Sequence, residues 1–157
     1  MYIVLFNVAG IAMFGWALMI FLPNWDPTRR LVEWAAFPAL LALVYVIGVV
    51  PLLLAAGPGI MLDFGSAPGV RGLLADGDIA LVVWIHILAF DHLVGVVIYR
   101  DNMREAVVPV PIQSVILLLT LMFGPAGFLA YYTIRLARKK GPAIGDAPPT
   151  PAPEVEA

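Results

Sequence analysis

The chain has 157 residues, 62% hydrophobic and 13% charged, with a formal net charge of -2. A mean hydropathy of +0.95 excludes a water-soluble globule, because so few charges leave too little polar material to clothe one. The absence of cysteine excludes a disulfide framework, a thiolate nucleophile and iron–sulfur or cysteine–zinc sites.

Four apolar runs reach the roughly 20 residues that a helix needs to span hydrocarbon, at 3–22, 34–56, 79–99 and 112–134. They predict an all-α, four-helix transmembrane bundle with a long interfacial second loop, one domain over residues 1–137. The first run lacks the positive flank of a secretory signal and is longer than a typical signal core, so it reads as a retained helix. Nothing in it resembles a transit peptide, which favours a bacterial inner-membrane or organelle-encoded setting. Pro23-Asn24-Trp25-Asp26-Pro27 closes it with turn chemistry.

In the second run, Pro51 removes the amide that would bond to the Ile47 carbonyl, which predicts a kink. The connection 57–78 is rich in Gly and Pro yet contains Ile60, Met61, Leu62, Phe64, Val70, Leu73 and Leu74. It is expected to lie along the interface, either as a connector packed on the headgroups or as a lid over a cavity. Residues 100–105 follow the third run as a short charged loop.

The fourth run carries Gly124, Pro125 and Gly127, which predicts a kink with a freed Leu121 carbonyl and close helix approach. From Gly141 onward the Pro-rich composition predicts a disordered tail. Four crossings put both termini and loop two on one side. That side then holds Arg71, Arg135, Arg138, Lys139 and Lys140, against Arg29, Arg30, Arg100 and Arg104 opposite. The cluster after the last span favours a cytoplasmic C-terminus. It reads as a headgroup anchor rather than a nucleic-acid surface, so no nucleic-acid partner is expected.

The middle of the third run reads Trp84-Ile85-His86-Ile87-Leu88-Ala89-Phe90-Asp91-His92. An aspartate at mid-bilayer costs about 2.5–3.5 kcal/mol on insertion scales, so such groups face a bundle interior or wet cavity and mark a working site. At about 100° per residue, Trp84, Leu88, Asp91, Gly95 and Tyr99 share one stripe with His92 at its edge, while His86 points the other way with Phe90 and Val97. Asp91 is the candidate proton donor; the plainer reading is a protonated carboxyl donating one interhelical hydrogen bond. The histidines could likewise bond only to Asn7, Gln113, Ser114 or Thr120.

Two histidines on one span that point apart cannot ligate a haem from both sides, and a metal at His86 and Asp91 would lack further ligands. No metal and no cofactor are therefore assigned. Ser114 is too isolated to suggest Ser–His–Asp chemistry.

These residues resemble a known family, the membrane proteins similar to the plant ABA-deficient-4 protein, also described as neoxanthin synthase-like or DUF4281. The likeness rests on Trp84-x-His86-x-Leu88-Ala89-Phe90-Asp91 with Gly95, Ile98-Tyr99-x-Asp101, Leu119-Thr120-Leu121-Met122-Phe123-Gly124-Pro125-x-Gly127, Tyr131 and Arg135. In the first run it adds Asn7, Trp16, Leu18-Met19, Pro23 and Trp25. Where members typically carry leucine, this chain has His92.

The resemblance implies carotenoid metabolism, since the plant member is required to turn violaxanthin into neoxanthin by opening an epoxide to an allenic alcohol. That step needs an acid at the epoxide oxygen and a base for a vinylic proton in an apolar slot. Asp91 is then the acid and His86 or His92 the base. Trp84, Phe90, Tyr99, Asn7, Trp16, Thr120 and Phe123 become the candidate binding residues for a polyene or isoprenoid, with membrane lipid as the surrounding partner. The rival readings are a non-enzymatic carotenoid- or lipid-binding membrane subunit, and a proton-coupled carrier, which so small a bundle could manage only as a homo-oligomer.

Overall fold

The computed structural model describes residues 1–140; the tail expected to be disordered lies outside the described residues. Those residues form nine helices: α1 (Tyr2–Ala9), α2 (Ala12–Phe21), α3 (Asp26–Glu33), α4 (Ala36–Ala56), α5 (Ile60–Asp63), α6 (Ala67–Ala75), α7 (Gly77–Glu105), α8 (Val110–Phe123) and α9 (Pro125–Lys140). The helical bundle expected from the apolar runs is what forms. Three stretches are long and apolar enough to cross a membrane, Tyr2–Phe21, Ala36–Ala56 and Gly77–Glu105.

The first stretch is stepped at Gly10. The Gly10 amide donates to both the Phe6 and Asn7 carbonyls at 3.2 Å, and Met13 N–H reaches back to Gly10 at 3.1 Å. This is the tighter three-residue pattern that offsets the two halves of a helix. α4 runs through Pro51 without interruption.

α7 is the axis of the bundle and packs against α1, α2, α3, α4, α6, α8 and α9. Asp76 starts it by accepting from the amides of Asp78 at 2.9 Å and Ile79 at 3.0 Å, which satisfies donors that the first turn leaves free. Its 29 residues span about 43 Å at 1.5 Å per residue, more than hydrocarbon thickness. Residues 100–105, expected as a loop, continue the helix, since nothing in them breaks it once the apolar pattern ends. Asn102 then organises the turn beyond, donating to the Val108 carbonyl at 2.9 Å and accepting from the Val108 amide at 2.7 Å.

The fourth apolar run departs most from expectation, because it is broken at Gly124 into α8 and α9, which fold back on each other. α8 begins beside the C-terminal part of α7, where Asn102 Nδ2 donates to Gln113 Oε1 at 2.6 Å. It ends at Gly124, where any Cβ would collide with the Asp91 carboxyl. α9 then returns to the starting level. Tyr131 donates to Asp101 at 2.6 Å, and Arg135 makes a two-pronged pair with the same carboxylate at 2.5 and 2.7 Å.

A helix that merely kinked could not touch α7 at both Asp91 and Asp101 in this order. Residues seven apart in a continuous helix are about 10 Å distant, yet a Cβ on Gly127 would overlap the Thr120 hydroxyl. The reversal has local causes: Pro125 cannot donate to the preceding turn, Gly124 has no side chain to obstruct Asp91, and Gly127 lets the two arms touch. At 14 residues, α8 is about 21 Å long.

Within the bundle the first turn of α1 and the C-terminal part of α9 therefore lie at opposite ends, not together as four straight spans would place them. The C-terminal part of α9 lies at the end of the bundle that holds loops one and three. By chain position, that end carries Arg29, Arg30, Arg100, Arg104, Arg135, Arg138, Lys139 and Lys140, leaving Arg71 alone at the other.

The larger packed core lies at the cationic end. Trp16, Met19, Val96, Ile98, Tyr99, Ile116, Leu117 and Tyr131 form it. A smaller cluster, Ala9, Ala12, Leu41, Val44 and Ile85, serves the opposite half. The sparse half is where an apolar cavity opens.

Candidate functional site

The three ionisable groups of α7 have three different surroundings. Asp91 is half-buried and its carboxyl lies against the backbone at Gly124, where α8 stops and α9 begins. The first turn of a helix offers free amides and a partial positive charge. The fold therefore places a carboxyl at mid-bundle beside a helix N-terminus.

His92, placed at the edge of a stripe by periodicity, is instead 1% exposed. Its ring packs edge-on against Trp16, with centroids 5.1 Å apart, and obliquely against Phe37 at 5.6 Å. Nδ1 of His92 has no hydrogen-bond partner. Gly15 makes the room, since a Cβ there would stand 2.6 Å from the imidazole.

His86 is exposed at the bundle surface between Tyr45 and Phe90, with ring centroids 5.0 and 4.7 Å away. It borders a cavity of about 320 Å³ between α4 and α7. Val49, Leu52, Leu53, Val82 and Val83 form its walls, and Ile60 and Phe64 from loop two form a further side. Apolar residues of that connection thus border the same hollow as His86. Asp91 and His92 are not among the residues that border it.

No single groove gathers the residues that the sequence nominated. Trp16, Tyr99 and Thr120 are buried: Trp16 is core, the Tyr99 hydroxyl donates to the Pro23 carbonyl, and Thr120 donates to Ile116 within its own helix at 2.8 Å. Asn7, Trp84, Phe90 and Phe123 are exposed. Of the polar groups suggested as partners for the histidines, Gln113 Oε1 accepts from Asn102 and Ser114 donates to the Ile20 carbonyl at 2.7 Å, while Gln113 Nε2 is buried without a partner. Sequence reasoning missed Tyr45, which meets His86 from α4. It lies on a span without a chemical motif, so only the fold reveals it.

A family model described as ABA DEFICIENT 4-like matches residues 4–131, running from within α1 through α8 to the first turns of α9. No curated protein and no solved structure matches the chain.

Proposed function

We propose that this chain, which belongs to the ABA DEFICIENT 4-like family, is an integral membrane protein that holds the end of a polyene or other isoprenoid in the cavity beside His86. The observation that carries this reading is the lining: aliphatic side chains on most sides, with Tyr45 and His86 as the polar functions. A mostly apolar pocket with a few placed polar groups suits a hydrocarbon ligand bearing an oxygen function. At about 320 Å³ the hollow suits one end group, with the rest of the chain lying along the lipid-facing surface.

The Tyr45–His86 pair favours a second, narrower reading as an isomerase. The phenol delivers a proton to an epoxide oxygen as the carbon–oxygen bond breaks, and the imidazole takes the adjacent vinylic proton, leaving an allenic alcohol with no redox change. Asp91 then acts elsewhere, at the hairpin tip, because it does not border this hollow.

The test is pigment content. The chain expressed in a carotenoid-producing bacterium and purified in mild detergent should retain an extractable isoprenoid. Val83→Trp, which fills the hollow, should lower its molar ratio at least tenfold while the thermal midpoint stays within a few degrees. His86→Leu should retain pigment and abolish any turnover. Pigment retained equally by Val83→Trp refutes the site; an unchanged product profile in His86→Leu refutes the isomerase reading; and a changed profile in Asp91→Asn alone returns the chemistry to the hairpin tip.

We further propose that three stretches cross the bilayer, that α8 and α9 form a re-entrant hairpin, and that the cationic end is cytoplasmic, as the positive-inside rule requires of so uneven a distribution. The chain lacks cysteine, so a single introduced thiol reports its own side. Arg138→Cys should react with an impermeant maleimide only from the cytoplasmic face, and Gly59→Cys, where a Cβ meets nothing within 4 Å, only from the other. Labelling of both from one face would restore a fourth crossing.

A further inference from the structure

At the cationic end, α3 and the last turns of α7 enclose a cavity of about 380 Å³. Arg29, Arg100 and Arg104 line it together with one acid, Glu33. Among the described residues, the ion pair within 4.0 Å is Arg135–Asp101, and none of these three arginines takes part in one. Arg100 is held by neutral acceptors instead, donating to the carbonyls of Val32 and Glu33 at the C-terminal end of α3. Arg29 reaches the Asn24 amide oxygen at 3.3 Å. The cavity thus keeps an excess of positive charge, with the guanidiniums of Arg29 and Arg100 held by neutral acceptors rather than by carboxylates.

We propose that this cavity receives the phosphate group of an anionic membrane lipid. Guanidinium is the side chain best suited to phosphate, because its planar donors bind two oxygens at once and carry a permanent charge. The depth of the site favours a lipid as the source. It opens where the apolar pattern of α7 gives way at Arg100, and buried Val32 with Met103 supplies an apolar wall. Trp25 and Trp34 flank α3 and are 51% and 75% exposed, the placement of aromatic anchors at headgroup level. Eight of the nine basic residues stand at this same end, and anionic headgroups gather against such surfaces.

The test uses the full chain in an uncharged detergent, read by thermal midpoint and by native mass spectrometry. Short-chain phosphatidic acid should bind saturably and raise the midpoint; the matching phosphatidylcholine should not. Arg104→Gln and Arg29→Gln should each weaken phosphatidic acid binding at least tenfold, while Arg138→Gln, outside the cavity, should leave it within twofold. Equal loss in Arg138→Gln would reduce the effect to general attraction and overturn the site. Unchanged binding in both Arg104→Gln and Arg29→Gln would do the same, and inorganic phosphate binding as tightly as the lipid would overturn the lipid source.

Discussion

Gly127→Val should disrupt the hairpin more severely than any other single-residue change in α8 or α9. Thr120 stands where the new side chain would go, its backbone nitrogen 2.5 Å and its Cα 2.6 Å from the point a Cβ would occupy. A rotamer change cannot relieve a clash with backbone, so the arms must separate. Overpacking of this kind costs about 1–3 kcal/mol where side chains can adjust, and backbone contact sets the expected loss at or above the top of that range. The thermal midpoint of the detergent-solubilised chain should fall by many degrees, and replacing Thr120 with Ser should not restore it. Gly124→Ala makes the useful contrast. The three atoms nearest its methyl all belong to the Asp91 side chain, so Asp91→Ala should rescue it. The double variant should lose less than the two singles together, with a coupling of about 1–2 kcal/mol. Independent, additive losses would mean that the hairpin tip does not rest on Asp91.

The same contacts explain what the sequence concealed. Run length and hydropathy revealed the helices, because about 20 consecutive apolar residues have few other uses. They could not separate a crossing from a re-entrant hairpin, since residues 112–134 are equally apolar either way. The signal was the spacing Gly124-Pro125-x-Gly127, legible as a break but silent about the angle. The local break permits the reversal, and contacts thirty or so positions away fix its direction: the Asp91 side chain lies close to Gly124 at the tip, and Asp101 bonds Tyr131 and Arg135 at the base. The near-even division of basic residues assumed four straight spans, whereas the fold-back at Gly124 brings the C-terminal part of α9 to the end that holds Arg100 and Arg104. Periodicity on α7 correctly turned His86 away from Asp91. It placed His92 at an edge because the buried face depends on which neighbours arrive, and the gap at Gly15 draws that ring inward. The arginine cavity was illegible because its residues come from loop one and from a segment read as loop three.

Trp16 supplies the sharpest separation between core and ligand groove. The sequence placed it among candidate ligand contacts; in the fold it is 1% exposed, with its ring on Gly95 and His92. Trp16→Ala should therefore act as a cavity-forming core substitution, costing about 3–5 kcal/mol. In a membrane protein the missing dispersion contacts, rather than transfer from water, make up that loss. Gly95→Ala should also destabilise, because its methyl would stand 2.5 Å from Trp16 Cη2. The two changes answer each other: the space left by the indole admits the methyl, so the second substitution should add little to the first. A thermal-midpoint series over the two single variants and the double variant measures this directly. If Trp16→Ala instead folds with an unchanged midpoint and sheds bound pigment, the indole belongs to a ligand groove. The packing of α2 on α7 would then have to be redrawn around an occupant.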